Sequence, residues 1–327
     1  MPFETPILLI CFQRTKNLKE ILAKIQKIRP TKMFICCDGS KNILQKDQVC
    51  ETRRLVSQYF PRARRLFQFK NKGCGLNVSS AISWFFTHNS EGIILEDDVI
   101  PSVDFFFFVK KALEKHRDDP SVASVSGFCP WPNSMAPNVP FLRSKYFSMW
   151  GWGTWAKAWN NYVLHPHDEL VRQWSQAIRK ACNSDNENEF WQNILQKIKT
   201  KQIDTWDYQF FFHAWAKNQV HIRPPKNLVK NCGFDSDATH TGVEPWFVKA
   251  QKTPLTADEP HWFLDAAYFY FRHLTYLDNG NFSLELASKK FQGLAEENRK
   301  LKLELQQNSL WRQFRKILKK ISPLKTE

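Results

Sequence analysis

The stretch GIILEDDVIPS, residues 92–102, joins an apolar run, Ile93-Ile94-Leu95, to three adjacent carboxylates, Glu96, Asp97 and Asp98. A short, bounded apolar run of this kind reads as a strand buried on both faces. Like charges set side by side raise one another's free energy unless a cation sits among them or water solvates them. The stretch therefore predicts a buried strand that ends at a polar crevice, with something positive in it.

The segments before it repeat the pattern. PILLICF (6–12), KMFICCD (32–38) and RRLFQF (64–69) read as strands. Helical spacing separates them: Leu18, Ile21, Leu22, Ile25 and Ile28 share one face, a second helix carries Val49, Leu55 and Val56, and a third is expected over 76–88. Strands alternating with amphipathic helices specify parallel βαβ units. The expected fold class is α/β and Rossmann-like, a mostly parallel central sheet flanked by helices, with a C-terminal helical extension. Ligands of such sheets bind at the carboxyl ends of the strands. Asp38-Gly39, the loop 71–75 and Glu96-Asp97-Asp98 all fall at such ends, so one crevice can hold all three.

Beyond residue 120 the pattern loosens and tryptophan becomes frequent. VASVSGF (122–128) reads as a strand, 129–141 as a Pro-rich loop, and SMWGWGTWAKAW (148–159) as a helix entered after two glycines. Residues 169–217 read as mostly helical, and 220–225 and 227–231 as a short strand and its exit. From Leu284, apolar residues step by three and four through Ala287, Phe291, Leu294, Leu301 and Leu305, with Asn298 at a core position. That is the seam of a short coiled coil, so a homodimer through 284–308 is expected. In SLWRQFRKILKKI (309–321), Leu310, Trp311, Phe314, Ile317, Leu318 and Ile321 take one face and five cations the other. A basic amphipathic helix with an aromatic on its apolar side suits an anionic membrane surface.

Composition narrows the class. The 327 residues are 43% hydrophobic and carry a net charge of +15, enough apolar mass for a large core and a strong basic excess. The excess is uneven: residues 1–90 hold 16 Lys/Arg against 5 acids, and 308–327 hold 6 against one. Two basic regions suggest two anionic partners. The aromatics are not interleaved with the basic clusters as base-stacking platforms would be, so no nucleic-acid partner is expected. Eight cysteines without Cys-x-x-Cys pairing or zinc spacing point to a reducing cytosol. The first Lys or Arg comes at Arg14, after a strand-like run, which is not the layout of a secretory signal. The densest apolar stretch, 261–277, is interrupted by Asp265, Arg272 and His273, so no membrane span is expected.

A strand ending in Leu95-Glu96-Asp97-Asp98 resembles the acidic metal motif of GT-A fold nucleotide-diphospho-sugar glycosyltransferases, in the version of N-acetylglucosaminyltransferase I and of bacterial family 2-like sugar transferases. Supporting segments follow in order. Cys11-Phe12-Gln13-Arg14 resembles the opening loop, with Gln13 where an Asn is common. Asp38-Gly39-Ser40 resembles the acid that holds the nucleotide base, and Asn71-Lys72-Gly73-Cys74-Gly75 the loop ahead of the donor site. Trp150 through Trp155, Thr205-Trp206-Asp207-Tyr208-Gln209 and Asn231-Cys232-Gly233 through His240 resemble later segments of the bacterial subfamily. The resemblance covers roughly residues 4–250.

It implies an inverting, metal-dependent glycosyltransferase of cell-surface polysaccharide synthesis, moving a sugar from a nucleotide-diphosphate donor to a hydroxyl of a glycan or lipid-linked acceptor. Asp98 and His240 would hold Mn2+ or Mg2+, and Asp207 would be the general base. Gln13, Arg14, Asp38, Lys72, Gly73, Glu96 and Asp97 would bind the donor. Asp204-x-x-Asp207 also reads as helix N-terminal capping, and the Trp-rich run 150–159 reads equally as a sugar-binding wall or as core. The implied organisation is a donor half (1–120), an acceptor half (121–255), a helical connector (256–283), the coiled coil (284–308) and the basic helix (309–327). The expected place is cytoplasmic, peripheral to the inner face of the cell membrane. Two other readings share the acids: a divalent-metal phosphoryl-transfer enzyme, which needs a second acid cluster not seen near a strand end, and a non-catalytic nucleotide-binding dimer at a membrane.

Overall fold

Ile7–Cys11 (β1) and Met33–Cys37 (β2) are buried at every position, as strands covered on both faces must be. Between them Leu18–Lys27 (α1) buries Leu18, Ile21, Leu22 and Ile25, the stripe its sequence predicts. These elements belong to a computed structural model that describes residues 2–129, 140–182 and 185–233. The Pro-rich loop for the most part, His240, the connector, the coiled coil and the basic helix lie outside the described residues.

A 3-10 turn at Ile43–Gln45 leads into α2 (Lys46–Tyr59), β3 (Arg64–Phe67), α3 (Cys74–Phe86) and β4 (Glu91–Glu96). Then come β5 (Val99–Pro101), α4 (Val103–His116), β6 (Val122–Ser126), β7 (Leu142–Ser144), β8 (Trp152–Trp155) and α5 (Ala156–Trp159). The helices α6 (Asp168–Ala181), α7 (Asp185–Lys199) and α8 (Asp207–Ala216) follow, then β9 (Val220–Arg223) and β10 (Val229–Asn231). Among the described residues they form an eight-stranded sheet in the order β3-β2-β1-β4-β8-β6-β9-β7. β1 pairs in parallel with both β2 and β4, and β8 and β7 run against the other strands. The expected class, α/β with a mostly parallel sheet flanked by helices, is the observed one. The sheet continues without a break past residue 120, through β8, β6 and β9.

One expectation changes: the segment at 152–155 is a strand, not the start of a helix. It sits in the sheet interior, with Gly153 opposite Ile93 of β4 and Val125 of β6. Its glycine is a packing requirement: a Cβ there would lie 2.6 Å from Val109 Cγ1 of α4 and 3.0 Å from the Gly92 carbonyl oxygen. The helix begins only at Ala156, after the sheet has used the preceding backbone groups. Pro101 closes β5, which forms a two-stranded antiparallel ribbon with β10, and it faces Val229 there. A ribbon edge tolerates a residue without an N–H.

Trp152, Trp155 and Trp159 are all buried, so three tryptophans of the 150–159 run belong to the core. Trp152 stacks on Trp206 with centroids 5.5 Å apart and meets Phe147 and Phe210 at 5.0 and 5.4 Å. Such aromatic pairs add to area burial and fix α8 against the sheet. Cys11, Cys36 and Cys37 lie in the same core as small apolar side chains. Among the described residues no helix is long and apolar enough to cross a membrane. Gly153→Ala should cost about 1–3 kcal/mol, the range for overpacking a filled interior. Urea unfolding checks it, with an unchanged m-value expected.

Candidate active site at the carboxyl end of the sheet

The parallel register of β1 and β4 sets Ile10 beside Glu96. The residues after each strand therefore meet across the crevice, and the β1–α1 loop supplies the positive groups that the acid row lacks. The Phe12 N–H donates to Asp97 Oδ2 at 2.7 Å, and the Arg14 guanidinium is paired with Asp98 Oδ2. Both members of the Arg14–Asp98 pair are largely shielded from solvent.

Compensation is incomplete. Burial, and then the charge of Asp98, push the Asp97 carboxyl up to about 7, against the lowering effect of Arg14 and the loop N–H groups. Glu96 is raised well above the ordinary carboxylate range, first by desolvation and then by Asp98, Asp97 and Asp207. Asp207, the first residue of α8, thus faces the same acidic floor from the opposite wall, and its Oδ1 accepts a hydrogen bond from the Thr205 hydroxyl. The β5–β10 ribbon closes a third side: the Cys232 N–H donates to the Asp98 carbonyl oxygen at 2.7 Å. Beside the acids, Gln13 Oε1 is buried without a hydrogen-bond partner.

Asp38, at the end of β2, is buried and works within its own chain. Its Oδ1 accepts from the N–H groups of Gly39 (2.8 Å) and Lys72 (2.9 Å), and its Oδ2 from Asn71 Nδ2 (3.0 Å). Burial raises its pKa while those donors lower it, with a net rise. The carboxylate pins the loop 71–73 and leaves the Lys72 side chain exposed at the crevice mouth.

The sequence did not reveal how that loop meets the other wall. Helix N-terminal capping is the second reading of Asp204-x-x-Asp207, and Asp204 does cap a helix, but it is α3: its two oxygens accept the N–H groups of Cys74 (2.9 Å) and Gly75 (2.8 Å) in the first turn. A carboxylate on orphan N–H groups at a helix N-terminus is a favoured pairing. Gly73 (φ +80°) and Gly75 make room for it, since a Cβ at either would lie 2.6 or 2.7 Å from the carboxylate. The signal was present as Gly-Cys-Gly, but the partner lies some 130 residues away. The loop 204–206 is held further by Tyr162, whose hydroxyl donates to the Trp206 carbonyl oxygen at 2.9 Å.

The structure therefore brings Gln13, Arg14, Glu96, Asp97, Asp98 and Asp207 together around one crevice, with Asp38, Lys72 and Gly73 on its adjoining wall. Among the described residues, no three His, Cys, Asp or Glu side chains are grouped as a metal cage. The donor set still suits a hard cation held openly. It is all oxygen, and the Arg14 guanidinium shows that Asp98 takes a positive partner. His240 lies outside the described residues.

No family model matches the chain, and no curated protein does. Solved structures similar to it include S. aureus TarS 1-349, with 12% identity and a TM-score of 0.44 over 87% of this chain and 75% of that one. GalNAc-T7 with UDP, GalNAc and Mn2+ shows 11% identity and a TM-score of 0.41, over 69% of this chain and 44% of that one. The 4-diphosphocytidyl-2C-methyl-D-erythritol synthase of Anaerococcus prevotii DSM 20548 shows 6% identity and a TM-score of 0.28, over 58% and 84%. At these values the likenesses assign neither activity nor ligand to this chain.

Two substitutions probe the geometry. A charged Asp97 costs the fold stability wherever the unfolded carboxyl is ionised and the folded one resists ionisation. The cost is full above about pH 7 and absent below 3.8, where both states are protonated. Asp97→Asn should therefore raise the melting temperature at pH 8, and the gain should vanish as pH falls towards 4. Asp204→Ala should destabilise by about 1–2 kcal/mol, the range for a lost N-terminal cap, as read by denaturant unfolding.

Proposed function

We propose that this chain is a metal-dependent inverting glycosyltransferase of GT-A type. The observation that carries the reading is the convergence of Glu96, Asp97, Asp98 and Asp207 on one crevice, where Arg14 pairs with Asp98. The ordered motifs support it, and so does the buried, unpartnered Gln13 Oε1, which suits a hydroxyl of a donor sugar or ribose.

In this reading Asp98, with His240, would hold Mn2+ or Mg2+. The cation would neutralise the charge developing on the departing diphosphate. Mg2+ in particular is commonly bound by one or two carboxylates together with substrate phosphates and waters. Arg14 and Lys72 contribute further positive charge on the donor's side. Asp97 and Asp38 orient the donor chiefly through the loops they hold, which places Gln13, Arg14 and Lys72 around it. Asp207 takes the proton from the acceptor hydroxyl. That oxygen forms the new bond to the sugar's anomeric carbon on the face opposite the diphosphate. The bond to the diphosphate breaks, and its electron pair leaves with the phosphate oxygen. The acceptor is a glycan or lipid-linked hydroxyl. The coiled coil 284–308 pairs two copies, and the basic helix 309–321 rests on the cytoplasmic leaflet.

A thermal-shift panel of UDP-, GDP-, TDP- and CMP-sugars with and without Mn2+ tests the reading. Stabilisation by one donor class only with metal is expected, and Asp98→Asn should remove it. No response to any donor would overturn the proposal. Asp207→Asn should keep the donor-induced shift while transfer falls by about 10²–10⁴-fold, the usual worth of a general base. Turnover measured with the identified donor checks it.

A further inference from the structure

The rim of the crevice on the β2–β3 side carries large apolar side chains that are exposed among the described residues. Phe69 is 102% exposed, Leu44 85% and Ile43 73%. Phe69 follows β3 and the other two open the 3-10 turn after β2, so all three stand at the carboxyl end of the sheet. Their loops touch, because Asn71 Nδ2 donates to the Gly39 carbonyl oxygen at 2.8 Å. Single exposed apolar residues are ordinary, but three on adjoining loops at the mouth of a site mark an interaction surface.

Charge identifies the partner. Lys41, Lys46 and Lys70 are exposed on the same loops and the turn into α2, against Asp47 alone. Lysines around protruding apolar side chains match an anionic bilayer, which receives the apolar groups below its headgroups and the ammonium groups among them. The chain's own tail is a poor occupant. Its amphipathic segment carries Arg312, Arg315, Lys316, Lys319 and Lys320, the same sign as the rim.

We propose that the β2–β3 rim, through Ile43, Leu44 and Phe69 ringed by lysines, docks directly on an anionic lipid surface and turns the mouth of the crevice towards it. This is a second membrane contact, separate from the one proposed for 309–321 and independent of the glycosyl-transfer reading. It would set the β2–β3 side of the crevice at headgroup level.

The test is sedimentation of the full-length chain with vesicles of mixed phosphatidylglycerol and phosphatidylcholine, alongside vesicles of phosphatidylcholine alone. Leu44→Gln with Phe69→Gln should lower the partition coefficient for anionic vesicles by at least about tenfold, since burying even one such side chain is worth more than that factor. The melting temperature should be unchanged, since both side chains are solvent-facing. Arg315→Glu with Lys319→Glu isolates the tail: binding that survives it should be lost when the rim substitutions are added. Undiminished vesicle binding by the rim variant, in either background, overturns the proposal. So does a rim variant that keeps vesicle binding and loses only its thermal shift with a nucleotide sugar, because the apolar rim would then serve the nucleobase.

Discussion

Everything at the site depends on holding a row of carboxylates at the end of a buried strand. Asp97, buried where the covered strand β4 ends, cannot shed its repulsion with Glu96 and Asp98 into water. The β1–α1 loop supplies what they need, an N–H at Phe12 and a guanidinium at Arg14. That supply arrives because β1 and β4 are parallel neighbours in register, so their exits lie side by side. The remaining deficit appears as raised carboxyl pKa values at Glu96 and Asp97, a state that favours a further cation.

A second constraint joins the two walls of the crevice. Asp38 holds the loop 71–73, the same loop opens α3, and the N-terminus of α3 is capped by Asp204 from the segment that leads to Asp207. Hydrogen bonds thus run from the end of β2 to the start of α8. A disturbance at either end is passed to the other through backbone groups that have few alternative partners. The aromatic cluster of Trp152, Trp206 and Phe210 fixes α8 from behind. Asp207 therefore sits on a packed helix and not on a loop free to drift.

The local patterns were legible where one physical rule acted alone. The burial of β1, β2 and β4, the stripe on α1, and the placement of Asp38, the loop 71–75 and the acid row at strand ends follow from periodicity and from the geometry of parallel sheets. Reading failed where distant partners overrode local propensity. Gly151-Trp152-Gly153-Thr154 suggested entry into a helix, yet β4 and β6 on either side recruit it as a strand. Asp204 reads locally only as a capping acid, and the helix it caps, α3, lies far away in sequence. Both outcomes have one source, since a backbone donor is satisfied by whichever acceptor tertiary packing delivers.

The sequence by itself determined the α/β class, the strands and the acids that terminate them, because these rest on hydrophobic burial and chain stiffness over a few residues. It also determined that Glu96, Asp97 and Asp98 would need a positive partner. Only the tertiary structure decided that Arg14 answers Asp98, that the Phe12 N–H answers Asp97, and that Asp207 stands across from Glu96. Those pairings join residues about 85 to 110 positions apart, and electrostatic interaction depends on distance in space, which strand order and register alone establish.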